Sequence, residues 1–162
     1  MSSTHDELAG VVDLFGALTR GELAAALAEL AFKQGQDVDE TALEAEIEAA
    51  VDAYALVEYR PADNTTDNSE TLLAVGPTAF PTLPPNAEDL PHILEYDRRS
   101  VDRERRATQV AERFTAEVTA VVEAEKTKRA TDLLDVAYDI EAWAAVETDD
   151  SRRMLHDILP QD

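Results

Sequence analysis

Beyond Gly76 the chain contains no glycine, although more than half of its 162 residues are still to come. All five glycines (Gly10, Gly16, Gly21, Gly35 and Gly76) are spent by that point. Five of the seven prolines follow it at once, at Pro77, Pro81, Pro84, Pro85 and Pro91. Glycine and proline are the residues that stop or redirect regular structure, so a long stretch nearly free of both is left to helix. The pattern predicts a first domain over 1–76, a Pro-rich connector over 77–91 and a helical region over 92–162.

The first domain opens on well-signalled helices. Thr4 and Glu7 have capping-box spacing, in which a threonine oxygen takes one orphan N–H and a glutamate reaches back to another. Leu8, Val11, Val12, Phe15 and Leu18 then recur at three and four, one helical face. Thr19 and Glu22 form a second box, with Leu18 and Leu23 as its hydrophobic staple. Leu23, Leu27, Leu30 and Ala31 continue that helix, and Gly35 is placed to end it. Asp39 reads as a third N-cap, stapled by Val38 and Leu43, ahead of Ile47, Ala50, Val51 and Tyr54. The period then changes: residues 56–60 and 71–75 are short strand-like runs around a polar, turn-rich loop. Three helices and a hairpin, in that order, predict a mainly α fold with a winged helix-turn-helix-like domain followed by a C-terminal helical region.

In that region Asp89 can cap a helix, with Pro91 harmless in its first turn. Leu90, Leu94, Val101, Thr108, Ala111, Val118 and Val122 predict one helix running to about Glu125. Leu133, Val136, Ala137, Ile140 and Ala144 mark a second, edged by Trp143 and Tyr138. Met154, Leu155, Ile158 and Leu159 mark a third. Long amphipathic helices after such a domain are expected to pair as a homodimer by coiled-coil-like packing.

Charge says where such a fold can live. The net charge is −21, with 35 acidic residues against 14 basic, and only Lys33, Lys126 and Lys128 are lysines. The acids are dispersed along helices rather than gathered in a tail, which reads as a solvated surface. In molar salt the Debye length falls to about 3 Å, so this density is screened. The expected setting is a salt-rich cytoplasm. Zero cysteine excludes disulfides, thiol catalysis and thiolate metal sites. No run of 18 apolar residues suggests a membrane helix, and the first ten residues lack the basic start and apolar core of a secretory signal.

The third helix argues against DNA reading. A winged helix that reads DNA lays it in the major groove with Arg, Lys, Asn or Gln at base edges and phosphates. Here Glu40, Glu44, Glu46, Glu48 and Asp52 occupy it and no basic residue does. The hairpin loop adds Arg60 against Asp63, Asp67 and Glu70. The best basic cluster lies later, where Arg98, Arg99, Arg103, Arg105 and Arg106 would share a helical arc of roughly 160°. Arg98, Arg99, Arg103 and Arg106 are the candidate contacts to a partner or to nucleic acid. Acid-first i,i+4 pairs, Glu95–Arg99 and Asp102–Arg106, are expected to neutralise much of that arc.

Catalytic and metal chemistry find little. His5, His92 and His156 lie in separate segments without a second histidine at ligand spacing. Asp132, Asp135 and Asp139 line one helical face and read as solvated acids. No Gly-rich phosphate loop and no nucleophile elbow occurs. No cofactor and no enzymatic activity is expected.

The stretch from Asp6 to Thr19, continuing to Leu30-Ala31-Phe32-Lys33, resembles an uncharacterised haloarchaeal family with a winged-helix-like N-terminus, most clearly over residues 6–60. That resemblance implies the fold and the environment and carries no assigned activity or functional residue. More loosely, the layout resembles archaeal winged-helix regulators with a helical dimerisation tail, an analogy of fold only. The expected function is a non-catalytic interaction or regulatory module with a protein partner, cytoplasmic and without membrane contact. The alternative is a dimeric DNA-binding regulator using Arg98–Arg106.

Salt should therefore stabilise the fold. The thermal unfolding midpoint is expected to rise by at least about 5 °C between about 0.1 M and about 2 M KCl, the equivalent of roughly 2 kcal/mol. An unchanged midpoint overturns the salt-adapted reading.

Overall fold

Two of the N-caps read from the sequence, Thr19 and Asp39, open helices of the first unit in the computed structural model. Among the described residues, 5–35, 37, 39–61, 71–84, 87–96 and 98–160, α1 spans His5–Phe15, α2 Arg20–Lys33 and α3 Glu40–Asp52. The capping box before α2 is complete: the Glu22 N–H donates to Thr19 Oγ1 at 3.1 Å and the Thr19 N–H donates to Glu22 Oε1 at 2.9 Å. Such a cap stabilises a helix by about 1 kcal/mol. Asp39 caps α3 through Oδ1, which accepts from the Ala42 N–H at 3.3 Å. Thr4, Val38 and the loop acids Asp63, Asp67 and Glu70 lie outside the described residues.

The helical faces expected from spacing are the ones that bury. Leu8, Val11, Val12, Phe15 and Leu18 are fully or almost fully buried, and Leu23, Leu27, Leu30, Ile47, Ala50 and Val51 join them in one core. Helix ends follow the glycines: Gly16 at φ +80° ends α1 and Gly35 at φ +73° follows α2. After α3, strands β1 (Leu56–Tyr59) and β2 (Leu72–Val75) pair antiparallel with Leu56 opposite Val75 and Tyr59 opposite Leu72. A third chain segment touches this ribbon. Leu18, between α1 and α2, exchanges both backbone hydrogen bonds with Leu73, at 3.0 and 2.7 Å.

The Pro-rich segment is built into the first unit. The Thr82 N–H donates to Asp6 O at 3.0 Å and the Phe80 N–H to Asp6 Oδ1 at 2.9 Å. Backbone passes so close to α1 at Gly10 that an added Cβ would stand 1.9 Å from Thr82 O. Further on, Ala87 and Leu90 are fully buried in the same core. The compact units are Met1–Asp102 and Arg103–Asp162.

The single long helix expected from Asp89 to about Glu125 is two. After a 3-10 turn at Ala87–Asp89, α4 covers only Leu90–Leu94, and Glu95 at φ 55° turns the chain away from helix. Pro91 sits in the first turn as expected, but the Asp89 side chain makes no cap hydrogen bond. Regular helix resumes at α5, Arg103–Glu123, and its buried face is Val110, Phe114, Val118 and Val121. The face expected from Leu90 onward is out of phase with this one. An interruption of eight residues resets the helical phase, so extrapolation across it selects the wrong neighbours of Val118.

In the second unit α6 (Thr127–Trp143) and α7 (Asp149–Ile158) pack with α5 and with each other. Leu133, Val136, Ala137 and Ile140 are buried as their spacing predicts, with Ala130 and Leu155. Of the residues in the stripes expected to form a dimer seam, Met154 is exposed and Ala144, Ile158 and Leu159 are half-buried. Glu117 of α5 takes Arg129 of α6 through Nε and Nη2, both at 2.8 Å. Glu141 near the end of α6 accepts the Thr148 N–H at 3.0 Å and its hydroxyl at 2.6 Å, while Arg152 reaches the same carboxylate at 3.2 Å.

The tight crossing at Gly10 makes a direct test. Gly10→Ala is expected to destabilise the first unit by about 1–3 kcal/mol through overpacking. Gly21→Ala, whose Cβ would meet nothing nearer than Thr19 Oγ1 at 4.0 Å, should be neutral or stabilising. Urea unfolding of the two variants beside wild type measures both.

Candidate interaction site

The third helix turns its apolar residues inward and its acids outward. Ile47, Ala50 and Val51 are buried, whereas Glu40, Glu44, Ala45, Glu48, Ala49 and Asp52 are exposed. Beside it runs α2, and Arg20 in the first turn of α2 spans the gap. Its Nε donates to Glu48 Oε2 at 2.6 Å, Nη2 to Glu48 Oε1 at 3.3 Å, and Nη1 to Glu58 Oε2 of β1 at 3.1 Å. Both carboxylates stabilise the guanidinium charge, the Glu48 hydrogen bond foremost, and hold its pKa above the usual value. Next to this clamp Gly21, Ala24 and Ile47 floor a groove of about 260 Å³, rimmed by Arg20, Glu44 and Glu48. Glu44 makes no ion pair among the described residues.

Neither the groove nor the Arg20 clamp was legible from spacing. One signal was available: Arg20 is the only arginine in the first 59 residues. A lone arginine in so acidic a stretch is bound to find carboxylates, but which ones depends on how α3 and β1 pack.

The four arginines singled out from the sequence do not form one arc, because helix begins only at Arg103. Arg98 and Arg99 precede it and point back into the first unit. Arg98 Nη1 donates to Asp13 O and Leu14 O, both at 2.9 Å, supplying the cation that the last turn of α1 lacks. Arg99 donates through Nη1 to Ala17 O at 3.0 Å and to Glu22 Oε1 at 2.6 Å, and through Nη2 to Glu22 Oε2 at 3.1 Å. Its ion pair is therefore with Glu22 rather than Glu95. Arg106 is half-buried and lies over the Trp143 ring, 4.7 Å from its centroid. Arg103 stands exposed at the start of α5.

Trp143 and Tyr138, read from the sequence as edges of the core, each carry an arginine on one face. Arg152 lies 5.1 Å from the Tyr138 centroid. Cation–π contacts of this kind stabilise by about 0.5–1 kcal/mol at exposed sites.

His5 opens α1, His92 belongs to α4 and His156 to α7. Among the described residues no three histidine or acidic side chains converge as a metal-ligand set. On α6 the Asp139 carboxyl is pushed up, by burial first and then by repulsion from Asp135. Among the described residues no helix is long and apolar enough to cross a membrane.

A family of unknown function, DUF7109, matches residues 6–160. The chain belongs to that family. Membership in an uncharacterised family is what the stretch from Asp6 to Lys33 implied, and the match extends over both units. No curated protein and no solved structure matches the chain.

Glu22 is where one candidate arginine, Arg99, meets the helix cap. Burial raises its carboxyl pKa, but the Arg99 hydrogen bond, the Thr19 contacts and the Arg99 charge together outweigh this and hold it below the ordinary value. A depressed folded-state pKa stabilises the fold above the unfolded carboxyl pKa of about 4.3, and that stabilisation is lost as pH falls through the folded value. Glu22→Gln is expected to be less stable than wild type by about 1–2 kcal/mol at neutral pH. The difference should shrink as pH drops below about 4. Urea titrations across that range measure it, and a difference independent of pH would mean that the Glu22 charge contributes nothing to stability.

Proposed function

We propose that the chain is a non-catalytic protein-interaction or regulatory module of a salt-rich cytoplasm, its first unit a winged-helix-like domain that presents α3 to a basic protein surface. The order α1-α2-α3-β1-β2 supports the winged-helix reading. So does Leu18, whose paired hydrogen bonds to Leu73 add to the hairpin a residue from between the first two helices. Winged helices commonly place a short third strand at that position.

The observation that carries the functional reading is the exposed face of α3, which offers carboxylates and alanines and no cation. Phosphate would be repelled by its Glu40, Glu44 and Asp52. A protein surface of opposite charge would be steered toward it and oriented on it. The DNA-binding alternative drew on Arg98, Arg99, Arg103 and Arg106 together. Two of these are engaged by the carbonyls of Asp13, Leu14 and Ala17 and by the Glu22 carboxylate, so phosphate contact would have to break the first unit's own bonds.

Photo-crosslinking side chains placed at the exposed positions Ala45 and Ala49, with a control at exposed Asp132 on α6, test the proposal in extracts of the source cells at native salt. The expected outcome is a protein adduct formed from α3 and absent from the control. Sequence-selective adducts with duplex DNA, or equal labelling from all three positions, overturn it.

A further inference from the structure

The groove between α2 and α3 has a glycine in its floor that the chain itself does not require. Gly21 lies in the first turn of α2 at an ordinary helical φ. A Cβ there would meet only Thr19 Oγ1, at 4.0 Å, so neither backbone conformation nor internal packing calls for its absence. The missing side chain keeps the groove open instead. At about 260 Å³ the space falls short of the roughly 300–1,000 Å³ typical of small-molecule pockets. It suits one long side chain.

The lining selects the chemistry of that side chain. Gly21, Ala24 and Ile47 offer apolar surface to a hydrocarbon stem. At the rim, the Arg20 guanidinium is already engaged by Glu48 and Glu58. Glu44 is exposed and makes no ion pair among the described residues. Two carboxylates, Glu44 and Glu48, against one guanidinium leave the rim net negative. An acidic head would be repelled there, and a purely apolar one would cover Glu44 without satisfying it. A lysine or arginine meets both demands, laying its methylenes on the floor and its charge at Glu44.

We propose that the α2–α3 groove seats one lysine or arginine side chain projecting from an amphipathic helix of a partner protein. The proposal rests on the reading of α3 as a protein-docking face and specifies what that face accepts. Such a helix would lie against Ala45 and Ala49, whose small side chains allow close approach, with its basic residue in the groove.

The probe is a fluorescein-labelled, Ala-rich helical peptide of about 16 residues carrying a Leu and Lys face, followed by fluorescence anisotropy. Its analogue has norleucine at the lysine position. Wild type is expected to bind the lysine peptide at least about tenfold more tightly than the analogue, and spermidine in excess should not displace it. Gly21→Leu, which fills the groove, and Glu44→Gln, which removes the charge, are each expected to weaken binding about tenfold or more. Glu104→Gln on α5 should not. Circular dichroism melts establish that the variants are folded, and Gly21→Ala serves as a milder filling if Gly21→Leu is not.

Equal binding of the two peptides overturns the proposal, as does full binding by Gly21→Leu and Glu44→Gln or no binding by wild type. Displacement by spermidine would make the ligand a free polyamine rather than a protein side chain, and the proposal would fail. It would fail also if light scattering showed a wild-type dimer that Gly21→Leu splits, because the occupant would then be a second copy. Loss of peptide binding with protein crosslinks retained at Ala45 and Ala49 would refute the groove alone. DNA crosslinks there would refute the docking reading itself.

Discussion

The carboxylate of Glu22 joins the start of α2 to the last segment of the first unit. It receives the Thr19 N–H that opens α2 and binds Arg99 through both oxygens. Those contacts join a helix start to a segment 77 residues further along the chain. Around that pair the rest is arranged by backbone. The Arg99 N–H donates to Phe15 O at 2.8 Å, and the turn at Gly16 brings the Arg99 carbonyl to where a Cβ would stand, 1.9 Å away. The Asp102 N–H donates to the Tyr59 hydroxyl at 3.0 Å. The end of the first unit is thereby tied to α1, to α2 and to the hairpin. Two side chains only partly screened from water gain from this arrangement because each is bidentate or multiply bonded, unlike a lone surface ion pair.

The second unit repeats the device with different residues. Glu141 accepts a backbone N–H and a hydroxyl from Thr148 and pairs with Arg152, fixing the turn between α6 and α7. Hydrogen bonds from Thr148, more than charge, hold its carboxyl pKa below the ordinary value. Thr148 is buried and makes no cap bond to its own helix, so its hydroxyl serves Glu141 instead. In both units a carboxylate near a helix end gathers an N–H, a threonine hydroxyl or its neighbours, and one arginine. The chain has 35 acids, and it is the small set with such partners that shapes the fold.

What could be read from residue order was local. The Thr19–Glu22 box, the Asp39 cap, the stops at Gly16 and Gly35 and the buried stripe from Leu8 to Leu18 all depend on neighbours within a turn or two. Spacing also placed the strands within a residue of β1 and β2. It failed at Glu95, where a non-glycine residue adopts a left-handed conformation and nothing in its side chain announces it. From there the helical phase was lost and the arginines at 98 and 99 were assigned to a helix they do not join. The same error hid their partners, since the Asp13, Leu14 and Ala17 carbonyls lie more than 80 residues earlier. The groove beside Arg20 was invisible for a related reason: it belongs to the packing of α2 on α3 and to no run of sequence.

The arginines bound to groups of their own unit change what the net charge means at the surface. Arg20, Arg98 and Arg99 are each bound to groups of the first unit, and Arg129 and Arg152 to groups of the second. A cation already engaged by its own unit cannot also answer a phosphate or an acidic partner without giving up that contact. The first 90 residues contain only 3 basic side chains, and Arg20 is one of those already committed. On the proposed docking reading, a partner of α3 would bring positive charge of its own. Because α3 exposes alanines between its carboxylates, that partner can approach closely enough for apolar contact as well as attraction. Attraction alone would fade in molar salt as the Debye length shrinks to about 3 Å, whereas apolar burial would not. For the proposed docking face to work in salt both would be needed, and the apolar floor beside Glu44 is where the second would come from.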